Sequence, residues 1–176
     1  MIFRQLTLDD LEEWLDQCHI LDMESGENGI YYGPYARGEP YSIDKIRTKT
    51  IKLWSQDFSI PSWRRAWGIF DNDRLVGSAQ IAAGDLPTSL HRVDLGLGIY
   101  EEYRNLGLGQ KLFHVIIDWC KKEASISWID LGVFSGNDIA KLVFKKVGFI
   151  EIGFKKDAWH VDGKSIDETL MSICVK

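Results

Sequence analysis

The sequence is poor in cysteine, and it lacks the marks of a secreted, membrane-bound or metal-binding protein. Its 176 residues contain only three cysteines, at positions 18, 120 and 174, which argues against a disulfide scaffold and favours a reducing cytoplasm. No apolar run approaches the roughly 18 residues that span a bilayer, and the first residues show no signal-peptide pattern. With no CxxC, no HExxH and no paired His/Cys spacing, we expect neither a metal nor a membrane partner.

Basic residues are also outnumbered. The chain has 21 Lys and Arg against 26 Asp and Glu, which gives a net charge of −5. The excess lies in residues 1–60, which hold 11 acidic and 6 basic side chains. Nucleic-acid binding needs basic patches against phosphate, so we expect no nucleic-acid partner. The acidic first third either attracts a cationic partner or is a solvated helix face.

Common nucleotide and hydrolase motifs are absent as well. Gly107 and Gly109 are followed by Leu112 where a Rossmann GxGxxG motif needs a third glycine. The chain has no GxxxxGK[ST] phosphate loop and no GxSxG serine motif. We therefore expect no Rossmann dinucleotide site, no P-loop NTPase and no serine hydrolase.

Apolar periodicity and turn residues predict one α+β domain over residues 1–176. A first helix follows the capping pair Thr7 and Asp10, with Leu8 and Leu11 on its apolar face, and Gly148 is the predicted end of the last helix. The other helices are predicted at 43–54, 108–123 and 137–147, and the strands near 2–6, 66–70, 74–83, 93–100, 128–134, 149–161 and 165–175. Antiparallel hairpins around a central βαβ unit give a mixed α/β class.

The run from Arg104 to Gly109 is the most informative stretch that is present. Two glycines stand beside a basic residue where an amphipathic helix begins. A helix start carries unpaired N–H groups and partial positive charge, and glycine lets a phosphate approach the backbone. The run therefore predicts a pyrophosphate site, and the alternative is a plain glycine-rich turn.

Two stretches together resemble the GCN5-related N-acetyltransferase (GNAT) superfamily. Residues 99–109, IYEEYRNLGLG, match the family's (Gln/Arg)-x-x-Gly-x-(Gly/Ala) motif with its preceding strand. Residues 137–149 match a second motif, in which an Asn precedes a helix and a Gly-Phe pair follows it. The resemblance implies a single acyl-CoA N-acyltransferase-like domain, with about seven strands in a mostly antiparallel sheet, a splayed parallel pair and about four helices.

The resemblance also implies acetyl-CoA as cosubstrate. The backbone of strand 93–100 would bind pantetheine, with Leu97 and Ile99 as contacts, and Asn137 would bind the pantetheine arm. Phe144 stands where the family commonly places a Tyr that acts as the general acid. The pyrophosphate would be held by the backbone N–H groups of Arg104, Asn105, Leu106, Gly107, Leu108, Gly109 and Gln110.

The implied chemistry is direct transfer of the acetyl group to a primary amine. A base takes the proton of the amine, and His91 and Asp94 are the candidates. Asp94 lies opposite the apolar face of its strand, whereas His91 shares the parity of Val93 and Leu97. Because Phe144 has no proton to give, the alternative is a CoA-binding or acyl-CoA-binding protein without transferase activity.

The acceptor site is expected to come from the first third of the chain and from the last hairpin. Glu27, with Asp22 and Glu24, can hold an ammonium group, and aromatic residues can stack on it. Such a site suits a small-molecule amine or a peptide N-terminus. The alternative is that most of these aromatic residues are core, and the strand pattern favours the core for Trp67. The candidate aromatic residues are Tyr31, Tyr32, Tyr35 and Tyr41, together with Trp54, Trp63 and Trp67. An edge strand near the C-terminus can pair in a homodimer.

Overall fold

A computed structural model describes residues 1–36, 42–123 and 126–176. These ranges hold seven strands and four α-helices, as predicted, together with three short 3₁₀ turns that were not. The helices are α1 (Leu11–Glu24), α2 (Ile43–Trp54), α3 (Leu108–Lys122) and α4 (Asp138–Val147). The strands are β1 (Ile2–Gln5), β2 (Arg64–Asp71), β3 (Arg74–Ala83), β4 (Arg92–Ile99), β5 (Trp128–Phe134), β6 (Ile150–Val161) and β7 (Lys164–Cys174).

The strands form one sheet in the order β1-β2-β3-β4-β5-β7-β6. Of the pairs that the structure describes, β4 and β5 are parallel and the others are antiparallel. Helix α3 makes the crossover that a parallel pair needs. The β4–β5 ladder ends after Asp94 pairs with Asp130, so beyond that point the two strands separate. This confirms the predicted mixed sheet with a splayed parallel pair.

The two faces of the sheet carry different helices. On the α3 face, odd-numbered residues of β4 and β5 such as Val93 and Ile129 pack in the main core with Leu112 of α3. On the opposite α1 face, Leu21 lies directly over Gly98 of β4. Even-numbered residues of β4 and β5 therefore face α1. Because strand side chains alternate, Asp94 lies on the α1 face.

Local capping signals act as the sequence predicts, with one correction. Asp10 accepts from the backbone N–H of Thr7 at 2.8 Å, and the N–H of Asp10 donates to the Thr7 carbonyl at 3.1 Å. Gly148 ends α4 with φ 110°. Leu8, however, was wrongly placed on the buried face of the first helix. It lies in a 3₁₀ turn before α1 and is 46% exposed, because the tighter turn points its side chain outwards.

Candidate active site

An open set of backbone N–H groups stands at the start of α3. Asn105 (φ 61°) and Gly107 (φ 71°) adopt left-handed conformations that turn the chain into the helix. In the described part of the chain, no acceptor is recorded for the N–H groups of residues 105–110, which we call the amide cradle. The N–H of Arg104, by contrast, donates to the Glu101 carbonyl at 3.1 Å. The cradle thus has the donors of an anion site, beginning one residue after Arg104.

The two glycines of this motif do different things. A Cβ on Gly109 would lie 3.4 Å from a methyl of Leu97 and 3.5 Å from a methyl of Ile99. Gly109 therefore brings α3 close to β4. A Cβ on Gly107 would meet none of the described atoms within 4 Å. The left-handed conformation at position 107 favours glycine, and the absence of a side chain there leaves the cradle open.

The Arg104 side chain ties three elements together. Its Nε donates to the Ile99 carbonyl at 2.8 Å, at the end of β4. Its guanidinium forms an ion pair with Glu24 at the end of α1 and lies 5.4 Å from the ring of Tyr32. Arg104, which the motif predicts near phosphate, thus holds the ends of β4 and α1 and the Tyr32 loop together beside the amide cradle.

Strand β4 runs from Asp94 towards the amide cradle at the start of α3. Past Asp94 its edge towards β5 carries no ladder bonds in the described strands, so backbone groups near Leu97 and Ile99 face the gap between the strands. Leu108, the first residue of α3, is buried, whereas Leu106 in the preceding loop is 59% exposed. An extended ligand can therefore lie along β4 with one end at the amide cradle.

Asn137 is the N-cap of helix α4, and Phe144 lies within that helix. The Asn137 Oδ1 caps the helix by accepting from the Ala140 N–H at 3.3 Å, which leaves the Nδ2 donors of Asn137 for a ligand. The Phe144 ring packs 5.1 Å from Phe113 and 5.7 Å from Phe149. Phe144 thus belongs to an apolar wall and has no proton to donate.

The two candidate bases lie in different surroundings. His91 is exposed before β4, and its carbonyl accepts from the N–H groups of Ser127 and Trp128 at 2.8 and 3.1 Å. Asp94 lies where β4 and β5 begin to separate. In the described chain no hydrogen bond or ion pair is recorded for its carboxylate. Burial of the carboxylate, followed by the negative charge of Asp130, raises the pKa of Asp94.

The α1 face carries a group of neighbouring carboxylates and glycines on β4, β5 and β7. We call it the carboxylate trough, and it consists of Asp94, Gly96, Asp130, Gly132 and Glu168. A Cβ on Gly96 would meet no described atom within 4 Å, whereas one on Gly132 would clash with the Glu168 carboxylate. Bare backbone is therefore open at Gly96, whereas the Glu168 carboxylate covers Gly132 and lines the trough together with Asp94 and Asp130.

The trough carboxylates differ in their partners. Asp130 accepts from Arg92 at 2.6 and 2.8 Å and from the Ser172 hydroxyl at 2.6 Å. Glu168 is 8% exposed and accepts from Lys155 Nζ at 3.3 Å. Sequence reasoning missed Asp130 and Glu168, because the β5–β7 register that aligns them joins residues about 40 positions apart. Strand parity in β5 and β7 was the available signal.

The predicted acceptor residues of the first third are divided by the structure. Tyr31 is buried, and its hydroxyl donates to Asp162 at 3.3 Å, which joins the loop to the β6–β7 hairpin. Tyr35 is exposed, and Tyr41 lies outside the described residues. A cavity of about 30 Å³, room for about one water, is lined by Glu24, Glu27, Asn28, Ile30, Tyr32, Glu101 and Arg104. It is too small to hold an acceptor by itself.

The tryptophans considered for acceptor binding belong to the core. Trp54 is buried and donates through Nε1 to Gln80 at 3.2 Å. Trp63 and Trp67 are 1% and 2% exposed and pack against Trp119. None of the three therefore presents a ring to an acceptor in this conformation.

Two searches of the described residues bear on other kinds of site. No group of three or more His, Cys, Asp or Glu side chains in these ranges is arranged to hold a metal ion. Within the same ranges, no helix is both long and apolar enough to cross a membrane.

Comparison with known proteins identifies the family. Residues 8–149 match the family model described as the acetyltransferase (GNAT) family. The chain is similar to the L-amino acid N-acetyltransferase AaaT of Escherichia coli (strain K12), with 28% identity over 112 residues, which cover 64% of this chain and 68% of that protein.

Solved structures share the fold over the whole chain. A GNAT-family acetyltransferase from Streptococcus pneumoniae superposes with a TM-score of 0.81 at 21% identity and covers 99% of both chains. The spermidine N-acetyltransferase of Vibrio cholerae, in complex with CoA and spermine, gives 0.76 at 19% identity and covers 98% of this chain and 94% of that one. This chain belongs to the GNAT acetyltransferase family.

Proposed function

We propose that this acetyltransferase moves the acetyl group of acetyl-CoA directly to a primary amine held in the carboxylate trough. The observation that carries the proposal is the unpaired Asp94 carboxylate at the point where β4 and β5 separate. One side of that point leads along β4 to the amide cradle, and the α1 face holds the trough. A base and two binding surfaces therefore meet at one place.

The chain offers groups that fit acetyl-CoA. The amide cradle supplies N–H donors for the pyrophosphate, with Gly107 leaving space above them. The free edge of β4 near Leu97 and Ile99, and Nδ2 of Asn137, offer hydrogen bonds to the pantetheine arm. When bound, acetyl-CoA supplies the acetyl thioester. The Vibrio neighbour that contains CoA supports this choice.

Asp94 is the proposed general base. A base that takes the amine proton works best when its pKa approaches the operating pH. Partial burial of its carboxylate and the Asp130 charge raise the pKa of Asp94, so this carboxylate is a stronger base than an Asp of ordinary pKa. His91 lies before the strand begins, where its carbonyl holds the Ser127 segment, and we assign it no proton transfer.

The leaving thiolate needs no acid from α4. Phe144 cannot donate, and its ring packs against Phe113 and Phe149. A thiol has a pKa of about 8.5, so its thiolate can depart at neutral pH and take a proton from water. Phe144 then serves as a water-excluding wall rather than as an acid.

The acceptor is proposed to be cationic before it reacts. The trough carries three carboxylates against the cations of Arg92 and Lys155, and Asp94 has no partner among the described residues. Glu27 and Tyr32 line the small cavity and are proposed to contact the distal part of the acceptor, as is the exposed Tyr35. The amino-acid and spermidine acetyltransferases that the chain resembles support a small-molecule amine, and a peptide N-terminus remains the other acceptor class.

Calorimetric titration with acetyl-CoA, with ATP and NADH as controls, tests the proposal first. We expect saturable binding of acetyl-CoA alone. Release of free thiol is then measured with L-amino acids, spermidine and a peptide with a free N-terminus. Binding without thiol release with any of these amines would favour the CoA-binding alternative, and absence of binding would overturn the assignment of the amide cradle.

We also propose a cytoplasmic homodimer. Cys18, Cys120 and Cys174 form no disulfide in the described chain, which supports a reducing compartment. The edge strand β6 exposes Ile150, Ile152 and Phe154, which supports contact with a second copy. Its irregular pairing with β7 favours side-chain packing over strand addition. Light scattering of the purified chain tests the dimer.

A further inference from the structure

We propose that Lys155 is an internal acceptor, and that with acetyl-CoA and no added amine the chain acetylates its own Lys155 Nζ. The inference rests on the proposed function, because it uses the same base and the same trough. It adds a modification site and a means by which the enzyme limits its own activity.

The position of Lys155 carries the inference. Lys155 pairs with Glu168 across the β6–β7 ladder, and its Nζ lies 3.3 Å from Glu168 Oε2. The Glu168 carboxylate in turn lies over Gly132, in the carboxylate trough. A primary ammonium group of the chain itself therefore reaches the wall of the site proposed for the acceptor.

Lys155 is also within electrostatic reach of the proposed base. The charges that act on the Asp94 carboxylate come from Asp130, Arg92, Glu168 and Lys155. Of these groups, only Lys155 bears a primary amine. Its side chain is 57% exposed and flexible, so Nζ can leave Glu168 and move along the trough.

Other lysines near β6 lack this placement. Lys141 and Lys145 pair with Glu151, which lies on the α3 face. Lys156 is exposed and lies beside Asp157. Lys156 is therefore the matched control, being next to Lys155 in sequence and more remote from the trough.

The reaction balances without a further reactant. Lys155 Nζ gives a proton to the Asp94 carboxylate, which passes it to solvent. The neutral nitrogen then forms a bond to the acetyl carbonyl carbon, the bond from that carbon to the thioester sulfur breaks, and the nitrogen gives its second proton to water, which leaves the neutral amide. The thiolate takes a proton from water, so the products are Nε-acetyl-Lys155 and free CoA. Because Glu168 favours the charged ammonium, we expect this reaction to be slow compared with transfer to a bound amine.

Acetylation would close the trough. The acetylated side chain carries no charge, so Glu168 loses the ammonium of Lys155, and the added acetyl group occupies space near Gly132. We therefore expect acceptor binding to weaken as Lys155 becomes modified. An amine acceptor that fills the trough protects Lys155 in turn.

The test is incubation of the full chain with acetyl-CoA and no amine, followed by intact mass and peptide mapping over time. We expect one acetyl group to accumulate at Lys155 at least about tenfold faster than at Lys156, and Asp94→Asn to slow the Lys155 reaction by about 100-fold. Lys155→Arg should abolish this modification, whereas Lys156→Arg should leave it unchanged. Added spermidine should slow it.

The outcomes separate this inference from the proposed function. Equal acetylation of Lys155 and Lys156, or a Lys155 rate that Asp94→Asn does not change, would mean chemical acetylation and would overturn the inference. An unmodified Lys155 in a chain that binds acetyl-CoA and releases thiol with an amine would overturn the inference alone. Absence of acetyl-CoA binding in calorimetry would overturn both.

Discussion

The amide cradle and the carboxylate trough are built in opposite ways. The cradle uses backbone N–H groups from six consecutive residues, and its shape depends on two left-handed residues, Asn105 and Gly107. The trough uses side chains from β4, β5 and β7 that meet through sheet pairing. A site made of backbone tolerates many side chains, whereas a site made of carboxylates depends on each one.

This difference bears on how a family diversifies. Under the proposed function, the cradle binds an anionic cosubstrate through local geometry, and the trough selects the acceptor through single side chains. The comparison therefore predicts that trough variants alter catalysis and acceptor binding while acetyl-CoA binding stays constant. Cradle variants should do the reverse.

The largest expected effect follows from Asp94→Asn. The amide keeps the shape of the side chain and cannot take a proton, so kcat should fall by about 100-fold or more. The affinity for acetyl-CoA in calorimetry should stay the same, because Asp94 lies on the α1 face away from the amide cradle. Thiol release with the best amine found by screening provides the rate.

His91→Gln is the companion variant that gives this prediction its contrast. His91 is exposed before β4, so its replacement should change kcat by less than about twofold. A large loss with His91→Gln and none with Asp94→Asn would transfer the role of base to the histidine. The acidic limb of the rate profile gives a second measure. The raised pKa of Asp94 places that limb above the pH at which an ordinary Asp titrates, and activity falls as pH drops through it.

The second prediction compares two glycines of the trough. A Cβ at Gly132 would clash with the flexible end of Glu168, so Gly132→Ala should displace that carboxylate with little loss of stability. Loss of a charged hydrogen bond of about 2 kcal/mol corresponds to a rise of about 30-fold in KM for the amine. Gly96→Ala adds the same methyl to the trough but meets no described atom within 4 Å, so it is the matched control that leaves Glu168 in place. Equal KM values for the two variants would mean that Glu168 does not bind the acceptor.

Third is the cradle, where Gly107→Val and Gly107→Asn differ in how they tolerate a left-handed backbone. Gly107 has φ 71°, and a β-branched residue there costs about 1–2 kcal/mol. Relaxation of that strain would move the N–H groups, so we expect acetyl-CoA affinity to fall about tenfold in the Val variant. Asn adopts this conformation more readily and should retain most of the affinity. The reverse ranking in calorimetry would contradict the role given to the backbone shape.

The sequence predicts the elements of this fold well and the trough poorly, for one physical reason. The strands β3 and β5 were predicted with the observed bounds, because their limits depend on turn residues next to them. The amide cradle is local in the same sense. Asp130 and Glu168 are brought together by pairing of β5 with β7, and nothing near either residue in sequence specifies that register.

Asp94 illustrates the same limit within a single strand. Its alternation with Val93 and Leu95 correctly predicts that it lies opposite the main core. The same alternation does not show on which face of the sheet an acceptor binds, so it gives no support to Asp94 as a base. Once α1 is seen over Gly98, the face opposite the main core is the one that holds the trough. Which face receives the acceptor is a property of helix packing, which strand periodicity does not contain.

The smallest expected effect concerns a local feature outside the amide cradle and the carboxylate trough, the pairing of Asp10 with Thr7 and Arg4. Asp10→Ala removes a carboxylate that caps the first turn and should lower the free energy of unfolding by about 1 kcal/mol, with no change in acetyl-CoA affinity. Asp9→Ala, an exposed residue of the same turn, is the control. Chemical denaturation of both variants gives the difference.

The pH dependence of that difference tests its electrostatic origin. The hydrogen bond from Arg4, foremost, lowers the pKa of Asp10 from 3.8 to about 2. A lowered pKa in the folded state stabilises the fold fully above the unfolded value of 3.8, and this stabilisation is lost as pH falls towards about 2. The gap between Asp10→Ala and the natural chain should therefore close across that range. A gap that persists at the acid end would mean that packing of the side chain, and not its charge, holds the first turn.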